Sequence, residues 1–251
     1  MKRPWRDQAT RALMGFSRVF PLPRVALRLG ARLLFLAAGS GEPRQALMTL
    51  LRLYGDLDNM LDITAQAYGN GVHVKHRLTR YHAFFTDRLS QGERVLDIGC
   101  GNGALTYDLV SVSGAVAIGI DIDPNKIAYA REHFRRPGLH FSCGDAKNES
   151  LTTVDTVVLS NVLEHIAERI VFLRDVIQRY RPYRLLIRVP MIDRHWSIPL
   201  RQELGLFPFS DAGHFTEYTT DSFVQEMAEA GLGVSHLQVN WGEIWAVAEP
   251  R

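Results

Sequence analysis

Val95-Leu96-Asp97-Ile98-Gly99-Cys100-Gly101-Asn102-Gly103 carries the reading of the fold. An apolar run with strand character enters three alternating glycines, and Ala104–Ser111 then follows a helical pattern. In an open α/β sheet, ligands bind outside the carboxyl ends of the strands, where this loop falls. Glycines allow the tight turn and let a ligand approach the backbone, and the helix start behind them supplies free N–H groups. Working outward, Ala115–Asp121, Leu139–Cys143, Thr156–Ser160 and Arg184–Val189 read as further strands. Helical patterns cover Pro124–Arg135, with Pro at a favoured first-turn position, and Glu164–Arg179. Strands joined by helical crossovers predict a doubly wound, mostly parallel sheet. Helix Thr220–Ala230 and the paired runs Val234–Val239 and Glu243–Ala248 predict an antiparallel hairpin at its edge, seven strands in all.

Composition places few other classes in reach. The chain has 251 residues, 46% apolar and 22% charged, with two cysteines. Two cysteines build neither a disulfide framework nor a structural zinc site, which points to a reducing, cytoplasmic setting. Without an apolar run of about 18 residues, a membrane span is not expected. The net charge of +2 hides an asymmetry, because residues 1–40 carry +7 and the remaining residues −5. Within that arm Arg24, Arg28 and Arg32 recur every four residues among Val25, Leu29, Leu33 and Leu36. Such a basic amphipathic helix suits either peripheral contact with an anionic membrane or packing on the body with its arginines in water. Its basic residues alternate with aliphatic rather than aromatic groups, which speaks against nucleic acid. Residues 43–70 read as a second helix that ends at Tyr68-Gly69-Asn70-Gly71, so 1–72 form a basic helical extension and 73–251 the main domain.

The glycine loop by itself leaves the ligand open. A dinucleotide-binding loop reads G-x-G-x-x-G, with a carboxylate about 20 residues on for the ribose. Here the spacing is D-x-G-x-G-x-G, Ala104 stands where the third glycine would fall, and Asp121 closes the next strand. Spacing alone does not separate the two.

Three further segments narrow it. Gly119-Ile120-Asp121, Cys143-Gly144-Asp145-Ala146 and Asn161-Val162-Leu163-Glu164-His165 each stand at the end of a predicted strand. Together with residues 95–103 they resemble, in order, the motifs of class I S-adenosylmethionine-dependent methyltransferases. The last segment is similar to the small-molecule O-methyltransferase branch. The resemblance implies a Rossmann-like methyltransferase fold over about residues 73–249. It further implies that S-adenosyl-L-methionine is held by Asp97, Gly99, Gly101 and Gly103 at the methionine part. Asp121, with Ile122 beside it, would take the ribose, and Asp145 and Ala146 the adenine, with Asn161 on the same side of the site. In the segment ahead of the first strand, Arg77 is a candidate for the methionine carboxylate, and its spacing from Tyr81 would put both on one helix face.

A hydroxyl acceptor must lose its proton to a side chain or through a metal that lowers its pKa. Candidates are Glu164, His165 and His214. Ubiquinone-biosynthesis and small-RNA 2′-O-methyltransferases carry E-x-x-E-H after strand four, where the group holds a divalent metal. This chain has Asn161-x-x-Glu164-His165, one carboxylate fewer, which weakens the expectation of Mg2+. A metal-free base at His165 or His214, and a purely structural His165, remain alongside it. The irregular stretch from Pro190 to Phe209 is expected to wall an acceptor site, with Arg188, Arg194, His195, Trp196, Arg201 and His214 recognising a polar, anionic or sugar-bearing acceptor. Trp241 and Trp245 are expected to pack in or beside the hairpin. The function expected is methyl transfer to a hydroxyl of a small molecule, sugar or lipid-linked compound. The alternatives are a silent cofactor-binding scaffold, an RNA 2′-O-methyltransferase and a dehydrogenase.

Overall fold

Side chains alternate across the central strands and divide the core into two layers. On β1 (Arg94–Ile98), Leu96 and Ile98 join one layer and Val95 the other. β4 (Thr156–Ser160) repeats this with Val157 and Leu159 against Val158, and β5 (Arg184–Pro190) with Leu185, Ile187 and Val189 against Leu186. Apolar groups cover both faces, which is why these strands read as nearly unbroken apolar runs. With β2 (Val116–Asp121), β3 (Leu139–Cys143), β6 (Leu232–Asn240) and β7 (Glu243–Pro250) the sheet has seven strands in the order β3-β2-β1-β4-β5-β7-β6. The first five strands are mutually parallel, and β7 lies antiparallel between β5 and β6. This is the doubly wound, mostly parallel sheet with an antiparallel edge hairpin that the pattern predicts, and it agrees with the Rossmann-like fold that the resemblance implies.

The computed structural model describes residues 24–70, 72–146, 153–209, 211 and 213–251. Residues 1–23 of the basic arm lie outside them. α1 (Arg24–Ala38) and α2 (Pro43–Tyr68) precede the short helices α3 (Lys75–Thr79) and α4 (Tyr81–Thr86). α5 (Ala104–Ser113), α6 (Pro124–His133), α7 (Arg169–Tyr180), α8 (Ser197–Glu203) and α9 (Thr220–Glu229) follow. The chain separates after Leu57 into two compact units. α6 starts as its sequence predicts, with Asp123 accepting from the Asn125 N–H at 2.9 Å and Pro124 in the first turn.

Three local expectations change. The helix expected over Glu164–Arg179 begins only at Arg169, and Leu163–His165 forms a 3-10 turn instead. The Phe215 N–H takes the Glu164 carbonyl at 2.7 Å, the place that the N–H four residues later would fill in a continuing helix. Arg77 and Tyr81 share no helix face, because Arg80 at φ 53° separates α3 from α4. Trp245 packs in the core, whereas Trp241 sits 73% exposed at the tip of the β6–β7 turn. There Trp241 and Gly242 both have positive φ, the geometry of a tight hairpin turn.

Candidate active site

The order of the sheet reverses at β1 and β4, so the loops after these strands diverge and leave a crevice. Asp97, one residue from the end of β1, is 1% exposed and accepts one hydrogen bond, from Thr106 Oγ1 at 2.6 Å. Burial pushes its carboxyl up to about 7, and the nearby Asp121 carboxylate adds to the rise against the opposing Thr106 bond.

The glycine loop is wired to the end of β2. Gly101 N–H donates to Asp121 Oδ2 at 2.9 Å, and Asp123 N–H donates to Asp121 Oδ1 at 2.8 Å. Each carboxylate oxygen keeps a second lone pair, enough to accept from two vicinal hydroxyls. Gly101 has φ 59°, and a Cβ there would find nothing within 4 Å, so its backbone faces open space. Gly99 instead backs onto Val162, the residue that leads into the Leu163–His165 turn. Gly103 is closed in at φ 85°, where a Cβ would stand 2.6 Å from Phe141 and 2.8 Å from Ala130. Gly103→Ala is therefore expected to lower stability by more than about 1 kcal/mol. A thermal melt that matches the parent would contradict this packing.

Ile122 is 78% exposed beside Asp121 and offers an apolar surface next to the carboxylate. The Gly144 N–H donates to the Asp121 carbonyl at 3.1 Å and so holds the end of β3 against that of β2. Asp145, exposed, and Ala146, buried, follow there. An open backbone cradle, a carboxylate with spare lone pairs and an apolar ledge fit an adenosyl ligand with a ribose diol.

Beyond Val162 lies a second group. One donor atom each from Glu164, His165 and His214 lie within 4.8 Å of one another. The two imidazoles meet edge-on with centroids 4.6 Å apart. His165 Nδ1 pairs with the Gly213 carbonyl at 3.2 Å, and burial, reinforced by His214, holds His165 below its ordinary pKa. Glu164 is wholly buried, and among the described residues neither of its oxygens finds a hydrogen-bond donor. Burial pushes it up to about 7. Asn161, at φ 56°, likewise buries an unpartnered Oδ1. His214 Nδ1 lies 3.0 Å from Glu217 Oε1, and Arg194 binds the other oxygen of Glu217, whose side chain is fully buried. That bond assigns the proton to Nδ1 and leaves Nε2 to accept. Two imidazoles and one carboxylate do not fit Mg2+, which takes a shell of oxygens and waters.

Glu217 had a faint signal in the sequence, as the third residue after a candidate histidine. Two of the arginines expected to recognise an acceptor serve elsewhere. Arg188 is 3% exposed, pairs with Glu243 and lies 3.9 Å over the Tyr81 ring, while Arg194 is tied to Glu217. Trp196 is exposed near His195, whose Nδ1 pairs with Ser197 Oγ at 2.7 Å. Arg77 is exposed on α3.

A family model described as a methyltransferase domain matches residues 71–237. The chain belongs to that family, the S-adenosylmethionine-dependent methyltransferases of class I. The ribosomal protein L11 methyltransferase of Photorhabdus laumondii is 33% identical over 111 residues, 43% of this chain and 36% of that protein. The ubiquinone biosynthesis O-methyltransferase of Cereibacter sphaeroides is 33% identical over 101 residues, 39% of this chain and 40% of that protein. The chain thus spans about two fifths of the length of the curated relatives it matches. A solved S-adenosylmethionine-dependent methyltransferase from Aquifex aeolicus shares the fold at TM-score 0.56 and 18% identity, covering 70% of this chain and 92% of its own. The matched methyltransferase segment runs from just before α3 into β6 and contains both the glycine loop and the histidine pair.

Proposed function

We propose that this methyltransferase domain transfers a methyl group from S-adenosylmethionine to a hydroxyl of a small molecule, sugar or lipid-linked compound. The observation that carries the reading is His214, oriented by Glu217 and adjoining His165 and Glu164 across Val162 from the glycine loop. When bound, S-adenosylmethionine supplies an electrophilic methyl whose carbon–sulfur bond breaks as the acceptor oxygen attacks, leaving a neutral thioether. Asp121 would take the ribose hydroxyls, the Gly101 backbone would run along the methionine part, and Asp145 and Ala146 would flank the adenine. Asp97, beneath the loop, would face the methionine ammonium.

On the acceptor side, His214 Nε2 takes the hydroxyl proton while Glu217 holds Nδ1–H and stabilises the imidazolium that forms. Glu164, buried beside both rings, adds negative charge to the same imidazolium once it ionises. His165, whose Nδ1 pairs with the Gly213 carbonyl, positions the acceptor through Nε2. A base built entirely from side chains needs no metal, in keeping with a donor set that does not match Mg2+.

Calorimetric titration with S-adenosylhomocysteine, with NADH as control, tests the cofactor half. Micromolar binding of the former alone is expected, and Asp121→Ala is expected to weaken it about tenfold or more, for the loss of two charge-assisted hydrogen bonds. Unchanged affinity in Asp121→Ala would remove the ribose assignment, and preference for NADH would overturn the reading. Binding without turnover across a panel of hydroxyl acceptors would favour a silent scaffold.

A further inference from the structure

α1 has the sequence RVALRLGARLLFLAA, with three arginines and no acidic residue. At 100° per residue Arg28 and Arg32 fall on one narrow edge. A broad apolar band of Val25, Leu29, Leu33 and Leu36 begins beside them and closes with Leu34 and Leu27 on the far side. Leu29 is 57% exposed, Leu33 59% and Leu36 71%, and Leu27 and Leu34 are at least half exposed as well. Among the described residues Arg28 and Arg32 make no ion pair. A contiguous apolar surface of this kind, rimmed by cations, marks an interaction site.

The chemistry of the edge chooses the occupant. A second protein could cover the leucines, but arginines on a helix with no acidic residue call for a partner dense in anions directly beside an apolar phase. Anionic lipid presents both in one plane, phosphates outside and acyl chains a few ångström below. The length of the helix sets the mode. Its 15 residues extend about 22 Å, short of the roughly 30 Å hydrocarbon core, and no helix among the described residues is long and apolar enough to cross a membrane.

We propose that α1 lies lengthwise on the surface of an anionic bilayer, with Leu29, Leu33 and Leu36 in the acyl–headgroup boundary and Arg28 and Arg32 on lipid phosphates. The proposal is independent of the methyl-transfer reading. Sedimentation of the full chain with vesicles tests it, using phosphatidylcholine alone and phosphatidylcholine with about 30% phosphatidylglycerol. Retention on the anionic vesicles is expected at about 0.1 M salt, with release at high salt. The double variant R28Q/R32Q is expected to lower partitioning about 30-fold, roughly fivefold per arginine. L29S/L33S is expected to lose retention by more than about 100-fold through lost apolar burial. Unchanged thermal melts and S-adenosylhomocysteine binding in both variants would confirm that the body is intact, so the two proposals fail separately. Absence of the full chain from the pellet, equal retention on neutral vesicles, or unaltered retention of R28Q/R32Q would each overturn it. So would a dimer that L29S/L33S dissolves without any vesicle binding, since the leucines would then meet a second copy.

Discussion

Asp97→Asn is expected to make the unliganded chain more stable at about pH 8, by roughly 1–3 kcal/mol, while weakening its hold on the cofactor. The buried carboxyl has a folded-state pKa of about 7 against an ordinary value of 3.8. Below about pH 4 both folded and unfolded chains carry the proton, and Asp97 contributes no pH dependence. Between about pH 4 and 7 the unfolded chain releases the proton and the folded chain keeps it, so stability falls as pH rises. Above about pH 7 the loss is complete, at about 4 kcal/mol from a shift of some three pKa units. Asparagine removes this penalty but leaves a buried amide N–H₂ opposite Thr106, at a cost of about 1–3 kcal/mol. Melting curves should therefore cross, with the variant less stable than the parent at about pH 4 and more stable at about pH 8. A bound ammonium beside Asp97 favours ionisation, so affinity for S-adenosylhomocysteine should rise with pH up to about 7 in the parent and lose that slope in Asp97→Asn. Parallel melting curves at both pH values would show that the Asp97 carboxyl is not raised in the free protein.

His214→Ala carries the largest expected loss of turnover, about 10²- to 10⁴-fold in kcat, with S-adenosylhomocysteine affinity within about twofold of the parent. The reason is the division of labour across Val162, with cofactor contacts on the glycine loop and proton removal on the histidine pair. Glu217→Gln should lower kcat in the same direction, because a glutamine amide satisfies Nδ1–H without balancing the imidazolium charge. It also unpairs Arg194 from a buried carboxylate, so its melting temperature must be measured beside its rate. If His214→Ala keeps full activity and only melts earlier, the histidine is structural and the base lies elsewhere.

The parts legible in the sequence are those set by short-range pattern. The strand–glycine–helix junction at residues 95–104, the proline at the start of α6, and the apolar runs buried on both faces each follow from local sterics and burial, and each appears where the pattern put it. Asp121 was legible as the carboxylate that ends an apolar strand, whereas Asp145, two residues beyond the end of β3, was reached only through the family resemblance. The Leu163–His165 turn was not legible. Its Glu164 carbonyl is bound by Phe215, 51 residues further along the chain, and no local propensity at 164–168 registers that donor.

By itself the sequence determined the doubly wound sheet, the position of the glycine loop and the set of titratable side chains, because backbone conformation and burial follow from neighbours within a few residues. The tertiary structure alone decided what those side chains do. It joined His214 to Glu217 and brought both to Glu164 and His165, it withdrew Arg188 to Glu243 and Tyr81, and it left Gly101 open while closing Gly103. Charge, proton affinity and room for a ligand depend on groups that meet through space, and only folding brings residues so far apart in the chain within a few ångström of one another.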